Sequence, residues 1–276
     1  MRLFTNYVGL CLLSLSLGAS GQEAKIDTVI SAPNEAQGSL PPTQAVEVNG
    51  LKNPDWKPYK TMLKGLDAFE EYRSLAPNAP QVFILKPKRA DVSMQGVRLK
   101  LEYDETRIAI PLAEDGTFIL PRNEVAEDNK AEIVLNRKKD FYRWYPHVRT
   151  PGLAENQRRL GDMRLECEVL RAMIFDEAPF LLKIPIKVAV PSCKSKKITM
   201  FFPSQYLELK KATLVQNNRR LELTIFPKES SYIVPLSDES FNDDAIVELD
   251  YETTSSENKS LNYNTINFMI KIGTNK

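Results

Sequence analysis

Thr117-Phe118-Ile119-Leu120-Pro121 is echoed by Ser231-Tyr232-Ile233-Val234-Pro235, and the reading of this repeated stretch decides the fold. Each copy is a short run rich in β-branched, aromatic and aliphatic residues closed by a proline, the composition of a strand and its end. Ile108-Ala109-Ile110 leads into the first copy through Glu114-Asp115-Gly116, a hairpin turn signal. Continuing without a gap, Ala131 matches Ala245 and Leu135 matches Leu249. Upstream, with single-residue gaps, Val97-x-Leu99 aligns with Ala212-x-Leu214, and Leu85-Lys86-Pro87 with Phe201-Phe202-Pro203. Similarity at one long spacing predicts two related β-modules, near 80–172 and 181–273, with domain limits at 80–172 and 173–276.

The surrounding pattern is that of strands. Val82 to Leu85 is a short apolar run. Val97, Leu99 and Leu101 alternate with charged residues, and Ala131 to Leu135 forms a further strand. Met163, Leu165, Cys167 and Val169 alternate with Arg164, Glu166 and Glu168, which predicts a strand with one wet face. Ile184 to Val190 and Ile266 to Ile272 repeat that period. One exception precedes them: Tyr59, Met62, Leu63, Leu66, Phe69 and Tyr72 recur at helical spacing, a helix over 59–74 within a segment 51–79. Gly65 inside it costs about 1 kcal/mol relative to alanine. The expected class is mostly β: two tandem β-sandwich modules, transthyretin-like or Ig-like, preceded by one amphipathic helix. The Glu114–Phe118 turn and strand resemble transthyretin-like and carboxypeptidase-regulatory-like sandwiches over that one hairpin. The tandem arrangement is similar to that of periplasmic pilus chaperones. These resemblances imply architecture alone and carry over no functional residue.

The amino terminus predicts a compartment. Arg2 precedes the apolar run Val8 to Leu17, which relaxes into Gly18-Ala19-Ser20-Gly21, a secretory signal over 1–21. The run is shorter than the ~20 residues a membrane anchor needs. Residues 22–50, rich in Ala, Pro, Asn, Gln and Ser, read as a flexible linker. The chain holds 37 basic and 36 acidic residues, so loss of Arg2 leaves it formally neutral. Neutrality argues against nucleic acid or an anionic membrane as the main partner, and no second stretch is long enough to span a bilayer. An exported chain that keeps Cys167 and Cys193 is expected to join them in a structural disulfide, stabilising the fold by roughly 3–4 kcal/mol.

Catalytic candidates are few. His147 is the single histidine, and neither a Gly-x-Ser-x-Gly elbow nor a phosphate-binding glycine motif occurs. Glu166 and Glu168, on one face of the expected strand, offer a carboxylate pair of the kind glycosidases use. The simpler reading is a solvated face with Arg164 as ion partner. Asp238 to Asp244 supplies oxygen atoms but lacks the spacing of an EF-hand loop. No metal or cofactor is expected.

The connection 137–164 is the most suggestive region. It carries eight positive and three negative charges, interleaved with Phe141, Tyr142, Trp144 and Tyr145, and lacks a counterpart in the second module. Leu153 to Leu160 is expected to form a short helix stopped by Gly161. Aromatics among arginines suit a contact surface for a protein, or a platform for sugar rings. The expected binding residues are Tyr142, Arg143, Trp144, Tyr145, His147 and Arg149. The expected function is that of an exported, periplasmic or secreted, non-catalytic accessory protein that binds an envelope or extracellular protein. A glycan-binding module built on Tyr142, Trp144 and Tyr145 is the alternative, and a glycosidase-like enzyme through Glu166 and Glu168 comes third.

Overall fold

The computed structural model describes residues 52–179, 181, 192–252, 260–264 and 267–270. The expected signal peptide, the linker and the Ile184–Val190 strand lie outside the described residues. Among the described residues the chain is mostly β, with all strand pairs antiparallel. Strand β1 (Pro54–Pro58) runs directly into helix α1 (Tyr59–Glu71). Strands β2 (Val82–Pro87), β3 (Leu99–Tyr103), β4 (Thr106–Ile110) and β5 (Thr117–Phe118) follow, then a short α2 (Glu124–Asp128), β6 (Glu132–Lys138) and β7 (Tyr142–His147). The second half opens the same way, with β8 (Gln157–Arg159) running into α3 (Leu160–Glu177). It continues through β9 (Ile198–Pro203), β10 (Leu209–Gln216), β11 (Arg219–Glu222), β12 (Ile225–Phe226), β13 (Ser231–Val234), β14 (Ile246–Tyr251) and β15 (Asn267–Ile270).

The pairing of these strands repeats. The order β1-β6-β3-β4 is matched by β8-β14-β10-β11, and β5-β2-β7 by β13-β9-β15, with β12 added beside β13. Register repeats as well. Leu99 and Leu101 lie opposite Leu135 and Ile133, while Ala212 and Leu214 lie opposite Leu249 and Val247. Phe118 sits across from Phe83, and Tyr232 across from Phe202, with ring centroids 5.8 and 6.2 Å apart. The first amide of α1, Tyr59, donates to the Ala131 carbonyl at 2.9 Å, and the first amide of α3, Leu160, donates to the Ala245 carbonyl at 2.8 Å. The register therefore matches Ala212 with Leu99 rather than Val97, and Phe202 with Phe83 rather than Lys86. Short apolar runs align at several offsets, and only the pairing selects one.

Helix α3 corrects the sequence reading most. Met163 to Val169 is helical rather than extended, because the helix is buried on two sides. Leu165, Val169 and Met173, spaced by four, enter the core formed with α1 and the strands β2 to β7. Leu160, Met163 and Cys167 enter the core of the strands β9 to β14. Two helical stripes laid side by side fill every second position, which imitates the period of a strand. Gly65 has its reason here too: a Cβ on it would come within 3.0 Å of the Met173 side chain where α1 meets α3.

Other expectations shift with it. The Glu114-Asp115-Gly116 turn is present, with Gly116 at φ +85°, but it joins strands of two different sheets rather than a hairpin. Leu153 to Arg159 is a turn followed by β8, not a helix, and Leu160 opens α3. Gly161 does not stop a helix. It is the second residue of α3, where its amide donates to Asp243 O at 2.9 Å and a Cβ would collide with the Leu75 carbonyl. The connection 137–164 does have counterparts, since β7 pairs with β2 as β15 pairs with β9. Strand β1 escapes the sequence pattern because prolines close both its ends, a composition tolerated at a sheet edge. The disulfide Cys167–Cys193 is formed and ties α3 to the segment entering β9.

Candidate ligand-binding site

Strand β7 alternates, and its alternation divides the expected binding residues. Tyr142 and Trp144 pack on the first core: the Tyr142 hydroxyl donates to Ser93 O at 2.5 Å, and Trp144 Nε1–H donates to Asp55 at 3.3 Å. The Trp144 ring stands edge-on to Phe118, 6.2 Å between centroids. Tyr145 faces the other way and joins the second core, and Arg143 lines no part of the cavity described below. Tyr142 and Trp144 share one face of the strand, and Tyr145 is on the other. Tyr145 and His147, with Arg149 beyond the strand, line a cavity of about 740 Å³ where the two halves of the chain meet.

Two carboxylates of α3, one turn apart, hold the segment after β7. Asp162 accepts from the Thr150 amide at 2.7 Å and its hydroxyl at 2.6 Å. Glu166 accepts from the Val148 amide at 2.9 Å and from Arg149 Nη1 at 2.7 Å. The second oxygen of Glu166 lies 2.9 Å from Arg158 Nη2. Glu166 is 1% exposed and Arg158 5%, the latter with its guanidinium 5.6 Å above the Phe202 ring. Burial pushes the Glu166 carboxyl up, and the Arg158 and Arg149 charges outweigh it, so the group is held below its usual range. The expected pairing of Glu166 with Glu168 on a wet face is corrected. On a helix two positions apart they diverge, and Glu168 instead accepts from the Cys193 amide and Arg171 Nε, both at 2.7 Å.

Lys86 of β2 and Arg158 of β8 add two further basic side chains to the cavity, and Glu114, Asp115 and Glu155 line it as well. Burial, and after it the nearby Arg149 charge, hold the Lys86 ammonium below its ordinary pKa. The same two causes, in that order, push the His147 imidazole down to about 4, so it is neutral at physiological pH. Sequence reasoning missed Lys86 and Arg158 as site residues. Lys86 was legible only as a charge inside an apolar strand, and Arg158 only as one of several arginines.

The acidic loop has its own partner. Arg164 Nη1 donates to Asp243 at 2.6 Å, its Nε to Leu236 O at 3.0 Å, and its Nη2 to Asp238 O at 2.9 Å and Phe241 O at 3.2 Å. Arg159 pairs with Asp244 at 2.7 Å. Two arginines of the 137–164 stretch thus pair with the acidic loop 238–244 within one molecule. Comparison with protein-family models, with curated proteins and with solved structures found no match.

Proposed function

We propose that this is an exported, non-catalytic binding protein, periplasmic or secreted, which holds an envelope or extracellular protein at the cavity between two tandem β-sandwich modules. In this reading each module is a strand–helix start followed by its strands, near 54–147 and 157–270, and the two arose by duplication. The repeated pairing order and the matched helix-start hydrogen bonds support it. The disulfide suits an oxidising compartment, and among the described residues no helix is long and apolar enough to cross a membrane.

One observation carries the binding reading: Tyr145, His147 and Arg149, from the stretch richest in aromatic and basic residues, converge with Lys86 on one cavity. Its size is that of a ligand site. Glu166 supports a binding rather than catalytic role, because its oxygens are engaged by Arg149, Arg158 and the Val148 amide. A glycan is the second reading, favoured by Tyr145 and Tyr263 on the cavity wall. The aliphatic residues at the same wall favour a peptide. The test is gentle purification from the native compartment followed by mass spectrometry, wild type beside Lys86→Glu. A protein retained by wild type and lost by the variant supports the reading. Equal retention in both contradicts it, and a retained saccharide selects the glycan.

A further inference from the structure

Three basic side chains and four carboxylates line the cavity, and the contacts between them leave one of the positive charges unmatched. Lys86, Arg149 and Arg158 line it, and Glu166 is the carboxylate set among them. Glu166 is already committed to two guanidinium groups and an amide. Asp115 also lines the cavity but accepts from the Thr117 amide at 2.9 Å and its hydroxyl at 2.7 Å. Among the described residues Lys86 Nζ has no hydrogen bond and no carboxylate within ion-pair distance, and Arg149 bonds through Nη1 alone. Arg149 keeps 39% of its side-chain surface accessible, reached through the cavity. A half-buried ammonium without a partner is costly, and a counter-anion offsets that cost.

The rest of the wall limits what that anion is. Val92, Met94, Leu153 and Leu261 line it, Leu261 with 53% of its surface exposed, and their side chains offer a ligand no hydrogen bonds. Glu114, Asp115 and Glu155 also line it and disfavour a dianion over a monoanion. A singly charged group on an apolar body satisfies both conditions.

We propose that the cavity seats a carboxylate, a chain terminus or an acidic side chain, carried on an apolar peptide segment of the partner, with Lys86 and Arg149 as its ligands. This rests on the reading of the cavity as the partner site. Its capture follows the mode in which a peptide end is held by charge while neighbouring pockets take apolar side chains. The anion also relieves the mutual repulsion of Lys86 and Arg149, so its arrival raises the depressed Lys86 pKa.

The experiment is an amide-resolved NMR titration of the disulfide-intact protein with acetyl-Val-Leu, with its carboxamide, and with butyrate. Lys86→Met serves as the variant, since it removes no hydrogen bond from the fold, and its dispersed spectrum verifies folding. The acid is expected to shift the Val148 and Arg149 amides. Its carboxamide, and the acid on Lys86→Met, are expected to bind about tenfold more weakly. Equal binding of acid and carboxamide, an unaffected Lys86→Met, or no shift with the acid overturns the carboxylate site. Butyrate binding as tightly as the dipeptide overturns the peptide and makes this a site for small organic acids. Loss of the partner from Lys86→Glu without acid preference leaves the functional reading standing and removes this one. Acid preference with the partner retained by Lys86→Glu does the reverse.

Discussion

Glu166 binds three elements through one side chain. It accepts from the segment after β7, pairs with β8 through Arg158, and is itself part of α3. Removing its charge leaves the buried Arg158 guanidinium without its counter-ion, which typically costs about 3–5 kcal/mol. Glu166→Gln is therefore expected to lower the denaturant midpoint by that order, while Lys86→Met leaves it unchanged or raises it. His147 adds a pH term of definite sign. Its pKa falls from 6.5 to about 4 in the folded chain, so below pH 6.5 the unfolded state binds the proton that the native state refuses. Stability is full above pH 6.5, falls as the pH is lowered toward about 4, and is then flat with respect to this group, a loss of at most about 3 kcal/mol. Lys86, Arg149 and Arg158 cause part of that refusal, against Glu166. Because the chain has one histidine, a single imidazole resonance reads the value directly, and His147→Gln is expected to flatten the stability curve over that interval. Glu166 acts in the same direction at lower pH, its contribution being lost as the pH falls through its depressed pKa.

At the scale of elements, glycines mark where the helices come closest to their neighbours. At Gly65 an added Cβ meets the flexible end of Met173, which can move. At Gly161 it meets the backbone carbonyl of Leu75, which cannot. Gly161→Ala is expected to destabilise by about 1–3 kcal/mol or more, and Gly65→Ala by less, since helix propensity returns up to about 1 kcal/mol; thermal unfolding of both variants measures the difference. Most strands were legible in the sequence, either because they alternate, as β3 and β6 do, or because they form a short apolar run, as β2 does. α3 was not, because burial on two sides made its pattern that of a strand. Its composition held the correcting signal: Leu, Met, Glu, Arg and Ala dominate Leu160–Glu177, with few β-branched residues. For the site, β7 and Arg149 were legible as an aromatic and basic stretch. The division of its rings between two cores was not, since that depends on which sheet each face meets.

Over the whole molecule, α3 and the disulfide hold together what the repeat would otherwise leave as two similar halves. The helix gives one stripe to each core, and Cys167–Cys193 closes a loop across a sequence separation of 26. On the chain-entropy model that link contributes roughly 3–4 kcal/mol, so Cys167→Ser with Cys193→Ser is expected to lower the unfolding free energy by about that amount in a denaturant titration. The binding account depends on this junction staying closed, because the cavity takes residues from both halves. Hydrogen–deuterium exchange of the protein with and without its co-purified partner tests that account most directly. The account predicts that the partner slows exchange at 84–87, 145–155 and 203–205, the segments around the cavity. Protection confined to the outer strands β4 and β11, with those segments unchanged, would contradict it.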